Sequence, residues 1–278
     1  MTSPDTFLLG PGSQPADDDA VLEYMEMPDG MMSYHMPALP DLDDTSAITP
    51  ALAKLDAVLA ALRHTGDRPG ALAVVLDDLD PANRAFIDDV LGEGEVSIVG
   101  GERMQAQESV LAGVWRVRET SATGEVASDR IEIGALPGRL AEFAFAGAAA
   151  GVRPPEGISA EGLLAAPSLL AEVHNVLVTG AAPHAINLSL LPHTEEDLVL
   201  LDRHLGRGPV HILSRGYGNC RISSTLTRNV WWVRYYNSQD TLILNSLEVA
   251  EVPVVALASP EDLEDSAQRL AEILGVYR

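Results

Sequence analysis

Apolar residues recur at three- and four-residue steps in PALAKLDAVLAALRH (50–64) and PSLLAEVHNVLV (167–178), each opening on a proline suited to a first helical turn. Both stretches are predicted helices. ALAVVL (71–76) and HAINLSL (184–190) are short apolar runs bounded by turn formers and read as strands. ANRAFIDDVLGEG (82–94) and TEEDLVLLDRHLGRG (194–208) are amphipathic and run into glycine, the usual helix stop. LTRNVWWVRYY, the turn NSQD and TLILNSLEVAEV (226–252) alternate as an antiparallel hairpin does. SPEDLEDSAQRLAEILG (259–275) closes the chain as a helix with Ser259 as N-cap and Asp262 three residues on. Leu263, Ala267, Leu270 and Leu274 form its apolar stripe, expected to pack on a sheet.

The pattern occurs twice. An offset of 114 matches Asp88 with Asp202, Gly92 with Gly206, Gly94 with Gly208, Val96 with Val210 and Ile98 with Ile212. An offset of 116 then matches Trp115 with Trp231, Arg118 with Arg234, Glu132 with Glu248 and Pro137 with Pro253. This self-similarity predicts an α/β (α+β) protein of two tandem related units, 48–150 and 166–278, joined by a linker (151–165) and preceded by an irregular arm (1–47). Each unit reads as helix, strand, helix, then three antiparallel strands, with the helices packed on mixed sheets.

The copies differ between their matched Ile and Val-Trp pairs. VGGERMQAQESVLAG (99–113) faces LSRGYGNCRISSTLTRN (213–229), which is two residues longer and alone carries a cysteine, a Gly-x-Gly and added arginines. Shared residues such as Trp115 and Trp231 are expected in the core. The specialised task falls to the second copy's loop and hairpin.

Charge narrows the partners. A net charge of −23 excludes nucleic acid as an expected ligand, since phosphate binding needs clustered Lys and Arg. Residues 1–53 hold ten acidic side chains and no basic one, and Met25, Met27, Met31, Met32 and Met36 cluster within the arm. Residues 203–239 are the inverse, with six arginines and no carboxylate, interleaved with Trp231, Trp232, Tyr217, Tyr235 and Tyr236. Arg, Trp and Tyr dominate binding energy at interfaces, so this island reads as a recognition surface; the plainer alternative is arginines paired with acidic neighbours of the same chain. No basic-then-apolar leader and no 18-residue apolar run are present, so no membrane insertion is expected, and one cysteine fits a reducing cytoplasm.

Cys220 is the single thiol. Arg215 and Arg221 would favour its thiolate if their guanidinium groups faced it, and a histidine could serve as base. A small side chain buried at a strand entry is the competing reading. Metal ligation would draw on His204, His211 and Cys220, one short of a tetrahedral set.

GYGNCRISSTLTRNVWWVRYYNSQDTLILNSLEVAEVP with the EDLEDSAQRL helix closely resembles the C-terminal region of the HupH/HyaF hydrogenase expression proteins, and GPGSQP and LEYMEMP resemble that family's N-terminal pattern. The resemblance implies a non-enzymatic, cytoplasmic accessory in maturation of an uptake nickel–iron hydrogenase. Its implied partners are the iron–sulfur small-subunit precursor before twin-arginine export and a thioredoxin-like accessory protein. It carries over no catalytic residue and no cofactor. The candidate client-binding set is Arg215, Tyr217, Gly218, Asn219, Cys220, Arg221, Arg228, Asn229, Trp232 and Arg234, with Trp232, Arg221 and Arg228 preferred as contacts. Two alternatives stay open: Cys220 as a transient cluster ligand or thiol-exchange partner, and a cysteine-dependent hydrolase or transferase.

Overall fold

A computed structural model describes residues 45–64, 72–152, 162–216 and 218–278. The acidic, Met-rich arm, most of the linker and Tyr217 lie outside the described residues. The first half runs α1 (Thr49–His64), β1 (Leu72–Val75), α2 (Pro81–Leu91), β2 (Val96–Gly100), β3 (Met104–Glu108), β4 (Val114–Thr120), β5 (Val126–Ile133) and the short α3 (Leu140–Ala144). The second runs α4 (Ala166–Thr179), β6 (His184–Asn187), α5 (Glu195–Leu205), β7 (Val210–Ser214), β8 (Asn219–Ser224), β9 (Val230–Tyr236), β10 (Leu242–Val249) and α6 (Pro260–Val276).

The helix boundaries follow local chemistry. Asp80 caps α2 by accepting from the backbone N–H groups of Ala82 and Asn83. Thr194 with Asp197, and Ser259 with Asp262, form reciprocal capping boxes that open α5 and α6. Gly92 and Gly206 end α2 and α5 with φ of 53° and 69°, a region glycine enters without Cβ strain.

All ten strands join in one sheet in the order β1-β5-β4-β3-β2-β7-β8-β9-β10-β6. Read inward from either edge, the order is the same: the strand before the second helix, then the last, third, second and first strands of the meander. The halves meet at β2 and β7, where Ile98 lies opposite Ile212 and Val96 and Gly100 lie opposite Ser214 and Val210. The mixed sheets expected from sequence are corrected here, because every pairing of named strands is antiparallel. Four successive strands joined by tight turns can pair only that way, since a parallel pair needs a long crossover.

Two more expectations are revised. The stretches read as loops contain β3 and β8, so each half has four strands after its second helix. HAINLSL is strand only to Asn187, and Leu188–Leu190 turn as a 3-10 helix.

Alternation gives the sheet two covered faces. On the helix face, α1, α2 and α6 bury Val114, Ile131 and Ile133, while α4 and α5 bury Ile186, Val230, Trp232, Leu247 and Val249. The stripe Leu263, Ala267, Leu270 and Leu274 is buried as expected from its spacing, yet α6 crosses back to the first half, packing largely on α1. On the opposite face, Trp115 and Trp231 sit in one central cluster with Leu136, Leu140, Ala144 and Phe145, the last meeting Trp231 edge-to-face at 5.1 Å. Each indole N–H donates to a backbone carbonyl: Trp115 to Gly134, and Trp231 to Ala250 and Glu251.

Candidate functional site

Strands β7, β8 and β9 display the arginine island, and their register sorts it by face. Leu213 lies opposite Arg221 and Arg221 opposite Arg234, so these share the helix face with His211, Ser223, Trp232, Asn219 and Tyr236. Ser214 lies opposite Cys220 and Cys220 opposite Tyr235, which places these three on the other face. The pleat therefore divides the candidate residues into two groups.

On the helix face Arg221 and Arg234 lie side by side, with Arg215 at the near end of β7 and Arg228 in the turn at the far end of β8. Arg221 stacks over the Tyr236 ring at 4.3 Å and pairs with Asp240 at 2.9 Å through Nη2, while its Nε is buried without a partner among the described residues. Arg215 follows β7, its backbone N–H continuing the ladder to Glu95 O, and its Nη1 is also buried without a partner among the described residues. Arg234 lies over the Trp232 ring at 4.6 Å. Arg228 is exposed in the turn between β8 and β9, where its backbone N–H donates to Ala149 O. The pairing reading holds for part of the island, with Arg207 on Asp202 and Arg221 on Asp240.

Trp232, preferred as a surface contact, is only 4% exposed. Strand neighbours do face opposite ways, but here both faces are roofed, so Trp231 and Trp232 are both interior. Trp232 Nε1 donates to Asn245 Oδ1 at 2.5 Å, and its role is to hold Arg234 from beneath. Gly218 and Asn229 serve the backbone. Gly218 has φ of 121° and lies against Tyr236 O, and Asn229 has φ of 62° where the matching first-half residue is Gly113 at 77°. Asn219 opens β8 half-buried opposite Tyr236.

Cys220 is 3% exposed and sits in the central cluster with Ile222. Burial pushes its thiol up to about 12, outweighing a hydrogen bond with Tyr235, and the Glu248 charge pushes the same way. Arg221 lies across the sheet from it and cannot favour the thiolate. His211, opposite Ser223 and bonded to its Oγ at 3.1 Å, is on the helix face as well, so it does not meet Cys220. Burial lowers the His211 pKa. Among the described residues no group of three His, Cys, Asp or Glu is placed to hold a metal, and no helix is long and apolar enough to cross a membrane.

Sequence reasoning missed the partners of this region. Asp240 lies just past the carboxylate-free stretch, and the hairpin turn brings it back over Arg221. Tyr235 and Glu248 alternate with Trp232 and Leu247, which puts both on the face of Cys220, Tyr235 directly opposite it and Glu248 opposite Trp231.

The family pattern described as "HupH hydrogenase expression protein, C-terminal conserved region" matches residues 47–144 and 163–277. The chain is 47% identical over 274 residues to hydrogenase expression/formation protein HupH of Rhodobacter capsulatus, covering 97% of this chain and 96% of that protein. It is 35% identical to hydrogenase-1 operon protein HyaF of Escherichia coli, covering 96% and 94%. A solved hydrogenase expression protein HupH from Thiobacillus denitrificans covers 38% of this chain and 92% of its own at 32% identity, with a TM-score of 0.35. The chain thus belongs to the HupH/HoxQ/HyaF family of hydrogenase expression/formation proteins.

Proposed function

We propose that the chain is a non-enzymatic, cytoplasmic accessory chaperone for an uptake nickel–iron hydrogenase, which holds the iron–sulfur small-subunit precursor before its twin-arginine export. The helix-face strip of Arg215, Arg221 and Arg234, with Arg228 in the turn at the far end of β8, is the client surface. One observation carries this reading: Arg215 Nη1 and Arg221 Nε are buried with no acceptor among the described residues. A desolvated donor without a partner costs free energy, and a client carboxylate or carbonyl arriving there recovers it. Tyr236 and Trp232 stiffen the strip by stacking beneath two of its guanidinium groups. The relatives' names, hydrogenase expression/formation protein, supply the process; the precursor as client is this reading's own step. A thioredoxin-like accessory protein is a further partner in the same assembly.

The two halves are best read as copies of one unit, a reading supported by the shared strand order and by α2 and α5 lying 114 residues apart, and β4, β5 and β9, β10 lying 116 apart. The seam at Ile98 and Ile212 has the self-complementary form of a two-fold interface.

Capture of the purified small-subunit precursor tests the client surface. Arg215→Ala with Arg221→Ala is expected to reduce capture at least tenfold, the loss of two charge-assisted bonds, and capture should weaken as salt rises. Arg118→Ala, at the first-half position matching Arg234, should leave it unchanged. Undiminished capture by the double variant removes the strip from consideration.

A further inference from the structure

On the face opposite the arginine strip, matching positions of the halves carry different charges. In the first half Glu132 is buried and fully partnered: Arg130 Nε donates to Oε1 at 2.7 Å, and the Gly138 N–H donates to Oε2 at 2.8 Å. Arg130 Nη2 reaches on to Glu119 at 2.7 Å, so one guanidinium bridges two carboxylates. Under the offset of 116 the second half keeps the carboxylate as Glu248 but has Ser246 in place of Arg130 and Tyr235 in place of Glu119. Val255 replaces Arg139, and Leu244 replaces Ser128.

Glu248 is half-buried, and among the described residues it accepts no hydrogen bond and meets no cation; burial holds its carboxyl above the usual range. On β10 it lies two residues from Ser246, the position Arg130 holds in the other half, and Tyr235 lies opposite Leu244, two residues to the other side, as Glu119 lies opposite Ser128. Tyr235 lies opposite Cys220 on β8, and its hydroxyl oxygen has lone pairs for a donor. Val254, 73% exposed, and Val255 lie on the turn after Pro253, which packs on this face through Ala256. A carboxylate left without its cation, an oxygen acceptor on the other side of Ser246 and exposed aliphatic side chains on the following turn fit one chemistry.

We propose that this face binds an arginine side chain of a partner polypeptide whose flanking residues are apolar, with Glu248 and Tyr235 receiving the guanidinium as Glu132 and Glu119 receive Arg130. Arginine fits better than lysine because the bridging geometry in the first half uses two nitrogens of a planar fork. The surface lies across the sheet from the arginine strip, and it stands or falls separately from that reading.

Calorimetric titration of the full chain with the blocked peptide acetyl-Leu-Leu-Arg-Leu-Leu-amide, and with the same peptide carrying uncharged citrulline, tests the site. The arginine peptide is expected to bind at least about tenfold more tightly, and Glu248→Gln to abolish that preference. Ser246→Arg returns the first half's arginine to the slot; it should raise the melting temperature and weaken the arginine peptide by a similar factor. Equal binding of the two peptides, no binding of either, or a preference that survives both variants overturns the proposal.

Discussion

Arg116 in the first half is buried and clamped by Asp88 on α2 and Asp129 on β5, while the matching position 116 residues later is Trp232, bonded to Asn245 in the place of Asp129. The backbone register is the same at both sites, since Arg116 faces Gln107 and Ile131 as Trp232 faces Ser223 and Leu247. What changes is how the interior is satisfied. The first half closes its sheet with an internal ion network, leaving its carboxylates and guanidiniums neutralised by one another. The second replaces that network with an indole and an amide, so Asp202, the match of Asp88, turns to Arg207 and the arginines of β8 and β9 face outward over aromatic rings. A side chain made self-sufficient builds the scaffold, and one left with spare hydrogen-bonding capacity is available to a partner.

The largest effect expected from this contrast is at Arg116. Arg116→Ala leaves buried Asp129 with only the longer Arg118 contact at 3.6 Å and should cost about 3 kcal/mol in urea denaturation. Asn245→Ala, in the second half, leaves only an indole N–H without its acceptor and should cost about 1 to 2 kcal/mol. Equal losses would mean that the two sites do not differ in the way described.

Next is Glu108, buried at the end of β3 where the matching second-half residue is Ser224. Burial pushes its carboxyl up to about 7, against one bond from the Gly113 N–H. The folded state thus holds a proton that the unfolded chain releases near pH 4.5, so the associated stability is full below that pH and is lost as pH rises through about 7. Glu108→Gln should gain up to about 3 kcal/mol at pH 8 and almost nothing at pH 4, read from melts across that range.

Asp197 behaves in the opposite sense. It accepts backbone N–H bonds from Leu164, Ala165, Ala166 and Thr194, tying the start of α4 to that of α5, and these bonds, working against burial, hold its carboxyl down to about 2. Its contribution is present above the unfolded pKa and is lost as pH falls through about 2. Asn83 holds the matching place, accepting from Ala51 N–H at the start of α1. Asp197→Asn should therefore cost about 2 kcal/mol at pH 7 and fold normally, with the deficit shrinking in acid.

Smallest is Cys220→Ser, about 1 kcal/mol, with client capture unchanged and the wild-type thiol slow to alkylate at pH 8. Rapid alkylation of the folded protein would contradict the packing assigned to it.

Much of this scaffold is legible in sequence, because caps and periods are local. Ser259 with Asp262, the glycines after α2 and α5, and the stripe of α6 all act where they were read. Strand β8 is not legible, since GYGNCRISS mixes turn formers with a weak alternation, and Gly218 against Tyr236 O declares itself only once β9 is alongside. The single sheet is equally hidden, as nothing local in VSIVG indicates a partner strand more than a hundred residues away. In the candidate site, the arginines and rings are visible in composition, but which of them are roofed depends on helices packed from elsewhere. That is why Trp232 moves from contact to support.

Hydrogen exchange of the chain with and without the small-subunit precursor compares the halves in one experiment. Protection on binding is expected along β7 to β9 and the turn at Arg228, with the matching β2 to β4 unchanged. Equal protection of both halves, or none around Arg215 and Arg221, would contradict a client surface confined to the second.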